Sequence, residues 1–498
     1  MSEYRYKEYG MVKGVSGCIA AVTGLQNCFL GQLIKFGYGT EGVIMGCDLL
    51  EAKVLIVKEN EPILPGSRVT ATMEPFNMQV GANLIGRIIN PLGEAMDGQG
   101  VIKPEAYIPY FNTCPPIMER KGLTRPIETG VKLVDTMLPI GKGQRMLILG
   151  DKMTGKTTVL TDMIINQKGK NVICVYCAIA KTRSAMLRVV DLFKDKGVFE
   201  YTIILQAPAS SSPGQQYMAP YAACSVAEYF MYQGKDVFVG FDDFTKHAWA
   251  YRELSLLMQV PPGRDSYPGD IFYLHSRMIE RAAQCDEKRN CGSVTFVAIV
   301  ELLEGDLTAY VPTNLVSMTD GQIVLSMPLF NEGFRPAVDI GLSVSRVGTK
   351  VQTKAMKKVS SKLRLEFIQF KELLRLSKLQ TGGQSEETRE KLNAGKVLQA
   401  LLTQPPSAPV SQNVQVVAFL AKDKGLLKKF ETQEQARDFL GKVDEFFTKR
   451  DPSIFKRLTE LRDLPKDLEA DILNLASMLV DEVAAKQAAQ AEADVERG

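Results

Sequence analysis

Histidine is scarce in this chain of 498 residues, which contains only His247 and His275. A catalytic or structural zinc site commonly draws on several histidines, and a Ser-His-Asp triad needs one beside a serine and an aspartate. Two isolated histidines do not form the cluster that such chemistry requires. The sequence therefore predicts neither a histidine-rich metal centre nor hydrolysis by a triad.

Long hydrophobic runs are also absent. The longest apolar stretches have about ten residues, whereas a helix that crosses a bilayer needs about 20. The opening segment, MSEYRYKEYG, contains acidic residues and lacks the apolar core of a targeting peptide. We therefore expect any connection to a membrane to pass through partner chains.

An excess of charge of one sign is missing as well. The chain has 60 Lys and Arg against 57 Asp and Glu, a net charge of +3. This balance gives no general electrostatic reason to bind nucleic acid, and we expect no nucleic-acid partner. The nine cysteines are odd in number and scattered, which is typical of reduced thiols in a cytosolic compartment.

Three regions of the chain differ in their hydrophobic pattern. Residues 1–75 contain short apolar runs separated by glycines, which predicts about six strands and a β-barrel. In residues 76–352, short apolar runs such as RMLILG alternate with helical stretches, the pattern of βαβ units around a mainly parallel sheet.

Residues 353–498 carry amphipathic spacing instead of strand signals. We predict helices at about 353–378, 385–402, 412–430, 433–448 and 466–490. The sequence as a whole thus predicts a multidomain α+β chain with an N-terminal β-barrel, a central α/β domain and a C-terminal α-helical bundle.

The sharpest signal in the central region is GDKMTGKT, which fits the phosphate-binding P-loop pattern GxxxxGK[ST]. A strand pattern precedes it and a helix pattern follows it, as the pattern requires. In such a loop backbone amides surround the phosphates, Lys156 faces the β and γ phosphates, and the Thr157 hydroxyl can bind Mg²⁺. The candidate nucleotide-binding residues of the loop are Gly150, Asp151, Lys152, Met153, Thr154, Gly155, Lys156, Thr157 and Thr158.

A second element of this site is predicted downstream, where the apolar run DVFVGFDD ends in Asp242 and Asp243. A strand-end aspartate beside a P-loop usually binds Mg²⁺ through water. We assign this role to Asp242, with Asp243 as the alternate. Taken without the P-loop, such a pair is more often the N-terminal cap of a helix.

Seven ordered segments resemble the alpha subunits of F-type ATP synthases, the non-catalytic nucleotide-binding subunits of the soluble head. They are RPIETGVKLVDTMLPIGKGQR, GDKMTGKT, QQYMAPYAACS, FDDFTKHAWAYRELSLL, PPGRDSYPGDIFYLHSRMIERAA, AYVPTNLVSMTDGQI and RPAVDIGLSVSRVG. The resemblance is specific over residues 81–348, and the flanking regions fit the same family in length and order.

The resemblance implies ATP or ADP with Mg²⁺ as cofactors and a set of partner chains. Beta-like catalytic subunits would alternate with this chain in a hetero-hexamer around a central, gamma-like shaft subunit. A peripheral-stalk subunit and, indirectly, the membrane sector are further implied partners. The implied location is the periphery of the cell membrane on its cytoplasmic face, with an organelle membrane as the alternative.

The resemblance implies different catalytic roles for alpha and beta subunits, and two positions of this chain bear on them. The arginine of SVSRVG, Arg346 here, is implied to reach into the catalytic site of the neighbouring beta subunit as an arginine finger. Catalytic relatives carry a glutamate after the strand that follows the P-loop, and that glutamate polarises the attacking water. The matching residue here is Lys181, which with an ordinary pKa near 10.4 stays protonated and accepts no proton at neutral pH.

The sequence also departs from the family in the loop and in the region that lines the adenine. Lys152 and Met153 stand where relatives have arginine and glutamine. Gln404 matches the first of two family glutamines, and Pro406 replaces the second. Arg335 and Pro336 match the opposite wall and are, with Gln404, implied nucleotide contacts.

We therefore expect a non-catalytic, regulatory nucleotide-binding subunit of a proton-translocating ATP synthase head. One alternative is an alpha-like subunit of a related head that drives another task. The other is a catalytic homohexameric P-loop ATPase, which would need a carboxylate at Lys181. A purified complex containing a second P-loop chain with a catalytic glutamate would distinguish the first two from the third.

Overall fold

The computed structural model describes residues 7–379, 386–430 and 432–495, and for residues 378–379 and 486–495 the backbone alone. Within this part of the chain the strands are β1 Lys7–Ser16, β2 Ile19–Thr23, β3 Gln32–Lys35, β4 Glu41–Cys47, β5 Ala52–Lys58, β6 Arg68–Pro75, β7 Asn77–Val80, β8 Ile88–Ile89, β9 Ala106–Pro109, β10 Pro126–Ile127, β11 Ile140–Gly141, β12 Arg145–Gly150, β13 Val172–Lys181, β14 Thr202–Pro208, β15 Asp236–Asp242, β16 Ala283–Gln284, β17 Ser293–Glu301, β18 Gly321–Leu325 and β19 Val344–Ser345.

The helices of the same part of the chain alternate with the later strands and dominate the C-terminal third. They are α1 Lys132–Met137, α2 Lys156–Ile165, α3 Arg183–Asp195, α4 Pro213–Tyr232, α5 Phe244–Leu257, α6 Ile271–Ile279, α7 Tyr310–Met318, α8 Met327–Asn331, α9 Lys354–Ser360, α10 Leu363–Leu379, α11 Glu386–Leu402, α12 Gln412–Asp423, α13 Gln433–Arg450, α14 Pro452–Leu461 and α15 Lys466–Val495. None of the helices in the described residues combines the length and the apolar character that crossing a bilayer demands.

The chain forms two compact units, each assembled from several segments. Among the described residues, the first unit contains 7–122, 142–152 and 167–320, and the second contains 123–141, 153–166, 321–379, 386–430 and 432–495. The chain passes from one unit to the other inside the predicted P-loop, between Lys152 and Met153. The domain boundaries near residues 75 and 352 stay a prediction.

The first unit begins with a closed barrel of six strands in the order β1-β2-β5-β4-β3-β6. Alternate residues of these strands point inward and are buried, among them Val22, Ile34, Val54 and Val69. Closure leaves no exposed sheet edge, which suits short strands joined by glycine turns. The barrel predicted for the N-terminal region is therefore confirmed.

The first unit also contains a parallel sheet with the strand order β12-β17-β15-β13-β14-β8. Its central strands are buried over nearly their whole length, as in β17, where eight of nine residues are buried. The carboxyl ends of the strands meet at one edge, with Gly150 paired to Glu301 and Ala178 paired to Asp242. This is the edge at which such sheets bind ligands, and the predicted mainly parallel sheet is confirmed.

The second unit contains the helical C-terminal region together with α1, α2 and two short antiparallel strand pairs, β10 with β11 and β18 with β19. Its helix α12 is buried on all sides, because every residue from Val414 to Ala421 is buried. By contrast, α14 buries one face, through Ile454 and Leu458. A capping box at Thr432 and Gln435 fixes the start of α13. The predicted C-terminal helical bundle is confirmed.

Three details of this bundle differ from the sequence prediction. The helix expected at 412–430 ends at Asp423, and Leu426–Lys429 form a separate turn of 3-10 helix. The single helix expected at 353–378 is divided into α9 and α10 at residues 361–362, where the Ser360 hydroxyl donates to Gln352 and the Ser361 hydroxyl donates to the Lys358 carbonyl. Serine hydroxyls compete in this way with the helical hydrogen bonds. The sequence pattern also does not predict α14, which begins at Pro452 after an Asp451 cap.

Candidate nucleotide-binding site

The predicted P-loop joins the end of β12 to the start of α2. Gly155 stands immediately before the helix with φ of 94°, and Met153 has φ of 64°. A left-handed conformation suits glycine, and no side chain caps the helix at this end. Lys156 begins the helix and is 9% exposed, and Thr154 is buried. The strand, loop and helix expected around the motif are all present.

The first three loop residues are anchored in the first unit. The Asp151 carboxylate accepts a hydrogen bond from the Gly305 amide at 2.7 Å, and the Gly150 carbonyl accepts one from the Leu302 amide at 2.9 Å. The ammonium of Lys152 lies 3.4 Å from the Glu301 carboxylate and is largely exposed. Asp151 and Lys152 thus tie the loop to the end of β17. Sequence reasoning assigned Leu302 and Glu301 no part in this.

Asp242 is fully buried at the end of β15 and has two partners from β13. The Tyr176 hydroxyl donates to its Oδ2 at 2.9 Å, and the ammonium of Lys181 lies 2.6 Å from its Oδ1. Asp243 caps α5 by accepting a hydrogen bond from the Lys246 amide at 2.8 Å. The two aspartates therefore have different roles: Asp243 caps α5, and Asp242 is bound by side chains of the neighbouring strand β13.

A β-bulge in β13 brings Lys181 to Asp242. Ile179 pairs with Ala207 and Lys181 pairs with the next residue, Pro208, so Ala180 is an extra residue with φ of 51°. Without the bulge, Lys181 would point to the face opposite Tyr176, because side chains alternate along a strand. The extra residue restores Lys181 to the face of Tyr176.

The charges around Lys181 favour its protonated form. Burial disfavours the ammonium, yet the carboxylates of Asp242 and Asp243 outweigh it and raise the pKa of Lys181 above its ordinary value. Burial and repulsion from Asp242 raise the pKa of Asp243 to about 6. Lys181 is therefore a resident cation at neutral pH and cannot act there as a base.

The residues predicted to bind Mg²⁺ differ in how well they suit it. The Thr157 hydroxyl, on the first turn of α2, is half-buried and has the chemistry of a Mg²⁺ ligand at a P-loop. Asp242 already has Lys181 at one carboxylate oxygen and the Tyr176 hydroxyl at the other. The Mg²⁺ roles of Thr157 and Asp242 stay predictions.

The second unit contains a cavity of about 230 Å³ beside the loop residues Met153, Thr154, Gly155 and Thr158. Its other walls include Val131, Val159, Asp162, Phe330, Arg335, Pro336, Ala337, Gln404 and Pro406. The volume is below the roughly 300–1,000 Å³ of sites for whole drug-sized ligands, so it suits one planar part of a larger ligand. The predicted residues Arg335, Pro336 and Gln404 are thus brought together with the loop.

The polar groups around this cavity are largely used within the protein. The Gln404 amide donates to the carbonyls of Gly130 and Ala408 at 3.0 and 2.8 Å, and its Oε1 accepts from the Lys132 amide. Asp162 accepts a hydrogen bond from the Ser407 amide at 2.9 Å. Gln404 therefore shapes the wall of the cavity, because both hydrogens of its amide are already donated to the backbone.

Arg346 does not line this cavity. It follows β19 in the second unit and its side chain is exposed. The neighbouring Ser345 hydroxyl fixes the segment by donating to the Pro139 carbonyl at 2.8 Å and accepting from the Gly348 amide at 3.3 Å. A firmly held backbone thus presents Arg346 at the surface of its own chain.

Comparison with known proteins identifies two matching family models and many similar chains. Residues 130–345 match the nucleotide-binding domain of the ATP synthase alpha/beta family, and residues 352–479 match the C-terminal domain of the ATP synthase alpha/beta chain. The ATP synthase subunit alpha of Dehalococcoides mccartyi is 42% identical over 460 residues, which is 92% of this chain and 91% of that one.

A second relative gives the same result. The ATP synthase subunit alpha of Caldanaerobacter subterraneus subsp. tengcongensis is 42% identical over 463 residues, covering 93% of this chain and 91% of the relative. Both matches extend through the P-loop and the helical region. The chain therefore belongs to the ATP synthase alpha/beta family, and over most of its length it is similar to alpha subunits, as its motifs predict.

Proposed function

We propose that this chain is the non-catalytic, nucleotide-binding alpha-type subunit in the soluble head of a proton-translocating F-type ATP synthase. The observation that carries the proposal is a P-loop in a chain whose half-buried, ion-paired Lys181 matches the position of the catalytic glutamate in hydrolytic relatives. Membership of the ATP synthase alpha/beta family and the similarity to alpha subunits support it.

In this proposal the chain binds ATP or ADP through the loop from Gly150 to Thr158. Lys156 and the first turn of α2 face the phosphates, and the 230 Å³ cavity takes the base between the loop and Arg335. Thr157 would hold Mg²⁺, which when bound neutralises part of the phosphate charge. Lys156 contributes a fixed positive charge and Gly155 allows the close approach of the backbone.

Hydrolysis at this loop is disfavoured by the groups that surround it. A general base must accept a proton from water near neutral pH. Lys181 holds its proton because its pKa is raised, and the nearby Glu301 is paired with Lys152. The pKa of Asp243 is raised to about 6, but its carboxylate is held as the cap of α5, so in this proposal turnover uses a catalytic carboxylate from a partner chain.

The proposed assembly follows from this requirement. Beta-like catalytic subunits alternate with this chain in a hetero-hexamer around a gamma-like shaft, and Arg346 enters the catalytic site of a neighbour as an arginine finger. A peripheral-stalk subunit joins the head, and the membrane sector is reached through these partners. The head lies at the cytoplasmic face of the cell membrane in this proposal.

Nucleotide binding and turnover of the purified full-length chain test the proposal. We expect it to bind ATP and to show only background hydrolysis. Lys156→Ala should weaken binding by at least about tenfold, or about 1.4 kcal/mol, because the charge at the phosphates is lost. Lys168→Ala removes an exposed lysine just beyond the other end of α2 and should change nothing.

The same experiment has two adverse outcomes. Hydrolysis by the chain alone that disappears in Lys156→Ala would show that this P-loop is catalytic, in favour of a homohexameric ATPase. Failure of the wild-type chain to bind nucleotide would remove the binding function altogether. Native mass spectrometry of the complex complements it by giving the masses and copy numbers of the partners.

A further inference from the structure

We infer that Lys181 makes nucleotide binding at this P-loop only weakly dependent on Mg²⁺, because it neutralises the strand-end carboxylate that would otherwise favour the metal. The inference rests on the proposed function and concerns the same site. It assigns Lys181 a positioning role at Asp242 that follows from the contacts between β13 and β15.

The pairing of Lys181 with Asp242 is close and protected from water. The two charged atoms are 2.6 Å apart, the Asp242 side chain is fully buried, and that of Lys181 is 24% exposed. The second carboxylate oxygen accepts from the Tyr176 hydroxyl. Asp243 lies farther away, with its Oδ2 at 4.0 Å from the ammonium. Both oxygens of Asp242 are therefore engaged by side chains of one neighbouring strand.

The local backbone is built to make this contact. The extra residue Ala180 in β13 turns Lys181 onto the face of Tyr176, and without it the ammonium would point away from Asp242. A left-handed conformation at a residue other than glycine is unfavourable and needs support from its surroundings. The ion pair at the end of the strand supplies such support.

The electrostatic consequence concerns the edge of the sheet where the P-loop begins. β17 lies between β12, which ends at Gly150, and β15, which ends at Asp242. A buried carboxylate without a partner at this edge would repel a nucleotide that lacks a metal and attract a hydrated cation. The pair of Asp242 and Lys181 has no net charge, so it neither repels the nucleotide nor attracts the cation. Removing Mg²⁺ should therefore lower the affinity for nucleotide less than it would with an unpaired Asp242.

A matched ion pair lies at the opposite end of β15. Lys142 is 2.7 Å from Asp236, the first residue of the strand, and both side chains are mostly buried. This pair has the same chemistry and similar burial but lies at the amino end of the sheet, away from the P-loop edge. Replacing Lys142 by glutamine therefore leaves a mostly buried aspartate without its ion-pair partner, as replacing Lys181 does, but at the end of the strand away from the P-loop.

The test measures equilibrium binding of ADP to the purified full-length chain, once in excess Mg²⁺ and once in EDTA. We expect wild type and Lys142→Gln to lose less than about threefold in affinity in EDTA, and Lys181→Gln to lose more than about tenfold. Lys181→Arg keeps the cation and should behave as wild type. The double variant Lys181→Gln with Asp242→Asn has no charge at the pair and should also behave as wild type.

The double variant keeps the test decisive if the unpaired Asp242 prevents Lys181→Gln from folding. In that case, a double variant that loses more than about tenfold in ADP affinity in EDTA overturns the inference. A double variant that loses less than about threefold supports it. A wild-type chain that loses affinity in EDTA as strongly as Lys181→Gln also overturns it, as does a Lys142→Gln variant with the same loss. Absence of ADP binding under both conditions overturns the proposed function itself, which is a different result.

Discussion

Lys132, the first residue of α1, is a buried lysine of the second unit, with 1% of its surface exposed. Its Nζ donates to the Thr403 carbonyl at 2.7 Å. Burial, with a smaller contribution from Arg437, lowers the pKa of Lys132 to about 7. In an unfolded chain a lysine titrates near pH 10.4, so the two states bind different numbers of protons between about pH 7 and 10.

We expect the stability of the chain to rise with pH in this window through Lys132. The folded pKa lies below the unfolded one, so the unfolded chain holds a proton that the folded chain lacks, and removing protons favours folding. One such group contributes at most about 1.4 kcal/mol per pH unit. Urea-unfolding curves of wild type and Lys132→Met should be measured from pH 6 to 9. The free energy of unfolding of wild type should increase relative to that of Lys132→Met as the pH rises. A difference that is constant with pH would contradict this.

Some of these residues could be assigned from the sequence, and others could not. The P-loop could be predicted because its residues are contiguous and its spacing reflects the phosphate that it surrounds. The partners of Lys181 and Gln404 could not, since they come from distant parts of the chain: Asp242 lies 61 residues after Lys181, and Gln404 lies 272 residues after Lys132. A single inserted residue, Ala180, decides which face Lys181 takes.

At the scale of elements, hydrophobic pattern was sufficient for most strands and helices. The buried runs of β13, β15 and β17 predict a parallel sheet because both of its faces are covered. A single residue, Asp451, separates the missed helix α14 from the end of α13, and the position of α14 depends on the Asp451 cap and on packing partners. Element boundaries of this kind depend on contacts that periodicity does not report.

The packing of α11 on α10 gives a prediction for this scale. Gly395 in α11 lies against the ring of Phe370 in α10, and an added Cβ would overlap that ring. Alanine favours a helix over glycine by up to about 1 kcal/mol, whereas overfilling a packed contact costs about 1–3 kcal/mol. We expect the steric cost to exceed the gain, so Gly395→Ala should lower the melting temperature.

Gly441 in α13 is the matched control for this prediction. A Cβ there meets no atom within 4 Å, so Gly441→Ala should stabilise the chain by up to about 1 kcal/mol through helix propensity alone. The two variants should therefore shift the melting temperature in opposite directions, as measured by thermal unfolding. An equal upward shift in both would show that α10 and α11 separate easily.

In the molecule as a whole, Arg346 stands apart from the nucleotide cavity of its own chain. Arg346 is exposed on a backbone segment fixed by Ser345, yet it lies outside the residues that line the cavity of its own chain. A rigidly presented guanidinium suits recognition of phosphate on another molecule. In the proposed hetero-hexamer, that arginine would contact the phosphates of a nucleotide bound to the neighbouring subunit.

The whole-molecule prediction is that Arg346→Ala separates binding from turnover. In the complex purified with its partner subunits, ATP hydrolysis should fall by about 10³-fold or more, the scale of an arginine finger. Nucleotide binding by the isolated variant chain should match wild type, because Arg346 does not line its cavity. Lys350→Ala removes an exposed cation four residues away and should leave both measurements unchanged. A variant that failed to assemble would also lose turnover, so native mass spectrometry must find the same subunits in the variant complex as in the wild-type complex. An assembled Arg346→Ala complex with normal turnover would exclude the arginine-finger role.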